Sequence, residues 1–298
     1  MKNPILPFLN PVKLTQAYLY NRKSCKYNKS ADDLELKLYS KIFRNDMIHY
    51  GYFDDIDITP EFISIGLFEN AQRRYAEIIV EQIKDKKCCV LDVGCGMGGL
   101  SYYLLNSGFM VEALTPNKNQ SKYIERMDHT LQCHNCKFES FSTDTKFGTV
   151  INSESLQYIP LDDAFERVER IITPDGRWIV TDCFQIKDHA QRKSVHALEL
   201  FYQKAKEHSW NIIYERDITL NVLPTLKMVN VYVDRFLIPL SDYAEEKLKY
   251  KKAWLYYLTE QTRNSITGKL KKQVSLIDPE IFIAEKKYML FVLENHRF

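Results

Sequence analysis

Four glycines follow a short apolar run near residue 90 and have the spacing of a ligand-binding turn. They are Gly94, Gly96, Gly98 and Gly99, and a helical pattern begins directly after them. Glycine allows sharp turns and close approach of the backbone to a ligand, and the first turn of a helix points free N–H groups outward. We therefore predict that this loop is a binding site.

Asp92, two residues before the first glycine, distinguishes two kinds of ligand. Gly94, Gly96 and Gly99 alone also satisfy the dinucleotide fingerprint. A dinucleotide needs N–H groups for its pyrophosphate, whereas the Asp92 carboxylate suits a ligand with an ammonium group. The D-x-G-x-G pattern resembles the first motif of Rossmann-like methyltransferases, which implies that the ligand is S-adenosyl-L-methionine.

The segment after the second predicted strand carries a further pair of polar side chains. Methyltransferases commonly have an acidic residue there, but this chain has Thr115, and Glu112 lies inside the strand. The run from Leu114 to Gln120 resembles the cyclopropane fatty acid and mycolic acid synthase family, in which a Thr and a Gln five residues apart contact the cofactor. The resemblance implies cofactor contacts from Thr115, Pro116 and Gln120.

Other segments resemble the same family. Phe138-Glu139-Ser140-Phe141 is similar to its aromatic-Glu-x-Phe segment, with Phe138 where Trp is more usual. This implies adenine contacts for Phe138 and Glu139, and ordinary strand-end packing is the alternative. Segments 49–53 and 68–72 resemble those that precede the glycine loop in this family and in related small-molecule N- and C-methyltransferases. The implied cofactor-binding set is Tyr39, Tyr50, Asp92, Gly94, Cys95, Gly96, Gly98, Thr115, Pro116, Gln120, Phe138, Glu139 and Ser153.

The end of the fourth predicted strand, residues 153–158, is the predicted wall of the active site. It resembles the E-S-x-x-H segment of small-molecule methyltransferases, with Glu154 retained and Tyr158 in the histidine position. Cyclopropane synthases carry a Glu-His pair where this chain has Gln157 and Tyr158, which favours simple methylation. We predict that Glu154 orients a ligand and that Tyr158 hydrogen-bonds an acceptor heteroatom or accepts its proton.

An alternation of strands and helices must hold these side chains in place. Short apolar runs predict strands at 88–93, 109–114, 136–138, 148–152, 177–182, 210–218 and 288–293. Amphipathic helices are predicted between them, at 99–106, 118–127, 161–172 and 193–208. This alternation predicts an α/β fold with a doubly wound, mostly parallel, seven-stranded sheet of the Rossmann-like methyltransferase type.

The predicted division of the chain has four parts. Residues 1–85 form an N-terminal helical segment that covers the cofactor site, with helices at 14–53 and 68–84, and residues 86–220 form the core. Residues 221–285 form a helical lid that binds the acceptor, and residues 286–298 supply the last strand. The lid interpretation rests on the aromatic side chains of this insertion, for which a dimer interface or the underside of surface helices is the alternative: Phe236, Tyr243, Trp254 and Tyr257.

Composition excludes several other classes of protein. The net charge of +2 is far from that of a nucleic-acid binder. Seven cysteines and no signal-peptide pattern predict a reducing cytoplasm, and no run of 18 apolar residues predicts a transmembrane segment. Peripheral membrane contact and a homodimer stay open. No metal site is predicted, because the Cys-x-x-Cys group of residues 133–136 has no second pair at zinc-finger distance.

The leading hypothesis is a methyltransferase that acts on a small, largely apolar acceptor at an N, O or C atom, in secondary or lipid-related metabolism. A cyclopropane-synthase-like lipid modification is the second hypothesis. A non-catalytic protein that keeps the cofactor site is the third, and a dehydrogenase is a distant fourth. Binding of the cofactor and the identity of the modified product would distinguish them.

Overall fold

The structure is a computed structural model that describes residues 10–24, 38, 41–42, 44–186, 195–265, 267–268 and 277–295. In this part of the chain, seven strands form one sheet. The order across the sheet is β3-β2-β1-β4-β5-β7-β6. The strands are β1 Val90–Val93, β2 Val111–Leu114, β3 Gln132–His134, β4 Phe147–Ser153, β5 Ile172–Gln185, β6 Trp210–Asp217 and β7 Lys286–Asn295.

Pairing between the strands is parallel except at β7. β1 runs parallel to both β2 and β4, with Val93 opposite Leu114 and Asn152, and β7 is antiparallel to both β5 and β6. The strand order reverses between β1 and β4, which is where ligands bind in open α/β sheets. The predicted doubly wound, mostly parallel sheet is confirmed.

Helices precede, separate and follow the strands in the described ranges. They are α1 Pro11–Ser24, α2 Ile65–Val80, α3 Gly99–Asn106, α4 Lys118–Met127, α5 Leu161–Ile171, α6 Leu198–Glu207, α7 Thr219–Tyr232, α8 Ile238–Lys251, α9 Ala253–Leu258 and α10 Pro279–Glu285. Short 3-10 turns lie at Pro60–Phe62, Phe138–Ser140 and Leu156–Tyr158, and a π-helical turn joins α7 to α8 at Val233–Leu237.

Two layers of apolar side chains enclose the sheet. One face packs against α2, α3 and α7 through buried residues such as Tyr75, Leu104 and Val222. The other face packs against α5 and α6, where Phe165 meets Trp178 edge to face at a centroid distance of 4.8 Å. Burial on both faces explains why these strands read as nearly continuous apolar runs.

Three predicted elements differ from the structure. Residues 44–53 are not helical, because their backbone groups bond to side chains of other elements, as when Gln72 donates to the carbonyls of Met47 and His49. The third strand lies at Gln132–His134 instead of 136–138, and Phe138 begins a 3-10 turn. The helix predicted from residue 193 begins at Leu198, and residues 193–194 lie outside the described ranges.

The insertion between β6 and β7 has two parts with different surroundings. Helix α7 packs on the core through buried Val222, Leu223 and Leu226. The π-helical turn, α8 and α9 contain no buried residue, and Tyr243 and Tyr257 are exposed. Within the described ranges, no helix has the length and apolar character needed to cross a bilayer.

Candidate active site

Two adjoining cavities of about 260 Å³ and about 330 Å³ open at the carboxyl ends of β1, β2 and β4. Gly94, Gln120, Glu154 and Tyr158 border both of them, so the two cavities form one cleft. We call the first the loop cavity, because the glycine loop borders it, and the second the adenine-end cavity, because Phe138 and Glu139 border it. The cleft lies at the switch point of the strand order.

The glycine loop has left-handed backbone geometry at three of its glycines. Gly94, Gly96 and Gly98 have φ angles of 76°, 59° and 88°. A Cβ at Gly94 would lie 2.3 Å from Cβ of Ser155, and a Cβ at Gly96 would lie 3.4 Å from Cδ1 of Ile48. Side chains at these positions would fill the cradle, which explains the glycine pattern.

Asp92 lies beneath the loop and is buried. It accepts a hydrogen bond of 2.6 Å from the hydroxyl of Ser101, the third residue of α3. Burial raises the pKa of Asp92 to about 6, although the Ser101 hydrogen bond opposes this shift. Asp92 borders the loop cavity, so its charge acts on whatever occupies that space.

Thr115 and Gln120, the two residues for which the family resemblance implies cofactor contacts, are hydrogen-bonded to each other. The buried Thr115 hydroxyl donates to Oε1 of Gln120, and Asn135 donates to the carbonyl of Thr115 at 3.0 Å. The Gln120 amide is thereby held where it borders both cavities. Pro116 borders the adenine-end cavity.

The adenine-end cavity is bordered by Phe138 and Glu139 on their 3-10 turn. Phe138 is buried and packs within the core cluster on that face of the sheet, so it serves both packing and the cavity wall. Arg167 of α5 donates to the backbone carbonyl of Glu139 and fixes the turn. The side chain of Lys137 lies at the same end.

Residues 44–50, which we call the cover segment, border the opposite side of the loop cavity. Gln72 of α2 donates to the carbonyls of Met47 and His49 at 2.8 and 2.9 Å. Tyr123 of α4 donates to the Asp46 carboxylate at 2.8 Å. Helices on both sides therefore hold this segment against the cleft.

Glu154 is the residue at which three elements meet. Its backbone has φ of +52°, and its N–H donates to the carbonyl of Thr181 on β5 at 2.8 Å. Oε1 accepts hydrogen bonds from the backbone N–H of Tyr50 at 2.8 Å and from the Tyr288 hydroxyl at 2.5 Å. A left-handed glutamate is strained, and such strain is typical of functional sites.

Tyr288 belongs in turn to a buried pair of tyrosines. Its hydroxyl lies 2.9 Å from the hydroxyl of Tyr75, and both side chains are fully buried. Burial raises the pKa of Glu154 to about 7, against the lowering effect of its two donors. The carboxyl is therefore poised near neutral pH.

Asp182 on β5 is a second buried carboxyl beside Glu154. It accepts from the backbone N–H groups of Cys183 and Gln157, and burial raises its pKa to about 7. Because its negative charge contributes to the raised pKa of Glu154, the two carboxyls oppose each other's ionisation.

His49 is neutral in this environment. Its ring stacks on Tyr75 at a centroid distance of 4.3 Å, and Nδ1 donates to the Tyr50 carbonyl at 2.8 Å. Burial lowers the pKa of His49 to about 4. Its buried Nε2 has no hydrogen-bond partner among the described residues.

The loop cavity is therefore acidic. Asp46, Asp92 and Glu154 border it, and no lysine or arginine of the described chain does so. A ligand with a sulfonium and an ammonium group fits this charge pattern, and the glycine cradle leaves room for it. The residues present thus suit S-adenosylmethionine, which supplies an activated methyl group when bound.

The predicted binding residues differ in how they meet the cleft. Cys95, Gly96 and Ser153 border the loop cavity. Gly98 borders neither cavity and instead precedes the first residue of α3, and Tyr50 contributes its backbone N–H. Tyr39 lies outside the described residues.

Tyr158 borders both cavities but is 74% exposed, so it stands at the mouth of the cleft. Sequence reasoning missed Asp46, Asp182 and Tyr288. The sequence does show Asp182 as an acid within an apolar strand. It does not indicate the role of Tyr288, because the partner of this tyrosine, Glu154, lies 134 positions away along the chain.

The Cys-His group of residues 129–136 is dispersed. His134 pairs with Glu112 at 2.7 Å, and Cys133 contacts Cys95. No three side chains suited to a metal converge within the described ranges.

Comparison with known proteins matches one segment of the chain to a known family. Residues 90–176, from β1 to the first part of β5, match the family model described as a methyltransferase domain. This segment is similar to methyltransferase domains, and the family resemblance inferred from the motifs is confirmed.

Two curated relatives match parts of the chain. (S)-tetrahydroprotoberberine N-methyltransferase from Eschscholzia californica is 30% identical over 115 residues, which are 38% of this chain and 32% of the relative. Sterol 4-C-methyltransferase strm-1 from Caenorhabditis elegans is 24% identical over 148 residues, which are 47% of this chain and 44% of the relative. The chain thus spans less than half the length of the curated relatives it matches.

A solved structure extends the likeness in fold over most of the chain. The mycolic acid cyclopropane synthase CmaA1, complexed with SAH and CTAB, superposes with a TM-score of 0.60 at 14% identity. The superposition covers 87% of this chain and 95% of that chain. At this identity the likeness shows a shared fold.

Gly96→Ala tests the glycine cradle. We expect at least a tenfold loss of affinity for S-adenosylhomocysteine, because the added Cβ faces Ile48 across the cavity and is strained at φ of +59°. Isothermal titration measures this loss. Gly108→Ala is the matched control, because Gly108 has φ of +86° and open space around it. It should cost about 1 to 2 kcal/mol of stability and leave affinity unchanged. Equal losses of affinity in both variants would contradict the assignment.

The pKa of Glu154 predicts how stability depends on pH. Between its ordinary value of 4.5 and about 7, the unfolded chain releases the proton that the folded protein retains. The free energy of unfolding should therefore fall as pH rises through this window, by about 2 kcal/mol from this group. In Glu154→Gln, the part of the decrease in the free energy of unfolding that comes from this group should be absent. Urea unfolding of both proteins at pH 5 and pH 8 measures it, and parallel pH profiles would show that Glu154 ionises normally.

Proposed function

We propose that this protein transfers a methyl group from S-adenosylmethionine to a small, largely apolar acceptor. The observation that supports this most strongly is the position of Glu154. It borders both cavities beside the glycine loop, and its Oε2 has no hydrogen-bond partner among the described residues, because both donors lie on Oε1.

The cofactor is held by elements on three sides of the cleft. The glycine loop and Asp92 receive the amino-acid end, Gln120 lies at the junction of the two cavities, and Phe138 with Glu139 receives the adenine. The cover segment closes the loop cavity from above. Its anchoring by Gln72 and Tyr123 excludes water without a large conformational change.

Methyl transfer needs positioning, and a base where the acceptor must lose a proton. Glu154 supplies that base, because it borders both cavities, its Oε2 has no donor among the described residues, and burial brings its pKa near neutrality. Tyr288 and the Tyr50 N–H hold the carboxyl in one orientation. Tyr158, at the mouth of the cleft, orients the acceptor.

Relatives with different acceptors support a small apolar molecule as a class. One is named for an alkaloid N-methylation and another for a sterol C-methylation. The cyclopropane alternative is supported by Thr115 and Gln120 and weakened by Gln157 and Tyr158, which replace that family's Glu-His pair.

Transfer of labelled methyl groups tests this function. The protein is incubated with methyl-labelled S-adenosylmethionine and a panel of amines, phenols, sterols and unsaturated phospholipids, and products are identified by mass spectrometry. We expect a methyl gain, with kcat at least 100-fold lower in Glu154→Gln and an unchanged KM for the cofactor. A cyclopropane product would favour the lipid alternative. Tight cofactor binding without any product would favour the non-catalytic one.

The helices of residues 233–258 act as an acceptor lid in this proposal. None of their residues borders the two cavities, so Tyr257→Ala should leave affinity for S-adenosylhomocysteine within about 1 kcal/mol of wild type. The same variant should change the rate or range of acceptors methylated, as competition assays on the panel would measure. A change in association state alone, seen by light scattering, would assign these helices to a dimer interface instead.

A further inference from the structure

One acceptor atom in the cleft lacks a donor. Oε1 of Glu154 receives both the Tyr50 N–H and the Tyr288 hydroxyl, and Oε2 receives no donor from the described residues. Glu154 borders both cavities, so its carboxyl is reachable from the cleft. A ligand in the cleft must supply an N–H or O–H group there, or leave a carboxylate oxygen unpaired.

The loop cavity beside Glu154 is bordered by further carboxyls and, among the described residues, by no lysine or arginine. Asp182 lies behind Glu154 and raises its pKa, and Asp46 and Asp92 border the same cavity. His49 is neutral, because burial lowers its pKa to about 4. Among the described residues, Lys137 is the only lysine or arginine that borders the cleft, and it lies at the adenine end. This environment favours cations and opposes anions.

The geometry points to an amine with at least one N–H bond as the acceptor, held by Oε2 of Glu154. This inference rests on the proposed function and names its substrate class. The protonated amine first gives a proton to the carboxylate. The nitrogen electron pair then forms a bond to the methyl carbon, the carbon–sulfur bond breaks with its electron pair on sulfur, and S-adenosylhomocysteine leaves as a neutral thioether.

Other acceptor classes fit this environment less well. A phenol must give up its proton and develop a negative oxygen beside two carboxyls, Glu154 and Asp182, and no lysine or arginine of the described chain borders the loop cavity to stabilise it. An alkene has no donor and leaves Oε2 unpaired, a loss that discriminates strongly against such analogues. A carboxylate or phosphate ester adds a charge of the wrong sign. Tyr158 at the mouth adds an aromatic ring, and aromatic faces attract ammonium groups.

Three cofactor analogues test this inference in the intact chain. S-adenosylhomocysteine has a neutral sulfur, S-adenosylmethionine has a cationic sulfur without N–H bonds, and sinefungin has an ammonium group where the transferred methyl would lie. Isothermal titration at pH 7.5 should give sinefungin at least tenfold higher affinity than either of the other two. Sinefungin binding no more tightly than S-adenosylmethionine overturns the inference while the proposed cofactor site stands. Failure of all three to bind overturns the proposed function.

Variants attribute the preference to Glu154. Glu154→Gln should lower sinefungin affinity at least tenfold and keep S-adenosylhomocysteine within twofold. Glu154→Asp, which keeps the charge, should give an intermediate value and guards against misfolding of the first variant. Glu112→Gln is the matched control, since Glu112 is a partly buried carboxyl that borders neither cavity, and it should leave all three affinities within twofold. Equal loss of all three analogues in both Glu154 variants overturns the inference.

Acceptor-sized probes complete the test. With S-adenosylhomocysteine bound, N-methylbenzylamine should bind at least tenfold more tightly than benzyl alcohol or allylbenzene, which share its ring, and benzoate should bind least. The preference for the amine should disappear in Glu154→Gln. Benzoate or benzyl alcohol binding as tightly as the amine in the wild-type protein overturns the inference.

Discussion

The hydrogen bonds to Oε1 of Glu154 are the constraint on which the cleft depends. They join the cover segment, through the Tyr50 N–H, to β4 and to β7, through Tyr288. Each element is otherwise fixed separately: the cover segment by α2 and α4, β4 by its neighbours in the sheet, and β7 by pairing with β5 and β6. The hydrogen bonds of Glu154 fix the positions of these three elements relative to one another.

The strain and the charge at this residue are connected. The left-handed backbone turns the side chain away from the strand direction, and the N–H to the Thr181 carbonyl holds it there. A carboxyl so placed loses water, and its two donors compensate incompletely, so its pKa remains raised. At the glycine loop, burial likewise raises the pKa of Asp92, and the single hydrogen bond from Ser101 opposes this shift only in part. The cleft therefore stores unfavourable electrostatic energy that a cationic ligand relieves.

The fold could be predicted from sequence because its signals are local. Strand-helix alternation and the glycine loop each occupy a few consecutive residues, and α4 was predicted with the bounds that the structure gives. The order of the strands and the antiparallel insertion of β7 depend on long-range pairing. The helix predicted up to residue 53 was wrong because helical periodicity cannot reveal that Gln72 satisfies the backbone at Met47 and His49.

The candidate site also contains residues that local sequence patterns reveal and residues that depend on long-range contacts. The motif residues on the loop and after β2 border the cleft largely as their spacing suggested. Asp46 and Tyr288 could not be found in that way, since their importance arises from approach in space to residues far along the chain, and Asp182 was visible only as an acid within an apolar strand. Tyr158 borders the cleft, and its exposure of 74% depends on the turn that carries it.

The position of β7 has a consequence for how the protein assembles during synthesis. This strand lies between β5 and β6, yet it is the last of the seven described strands to leave the ribosome. A nascent chain without residues 286–295 lacks the strand that pairs with both β5 and β6, and Glu154 lacks its tyrosine donor. The strand that completes the sheet therefore also completes the hydrogen bonds of Glu154, and partly synthesised chains expose strand edges that can pair with other chains.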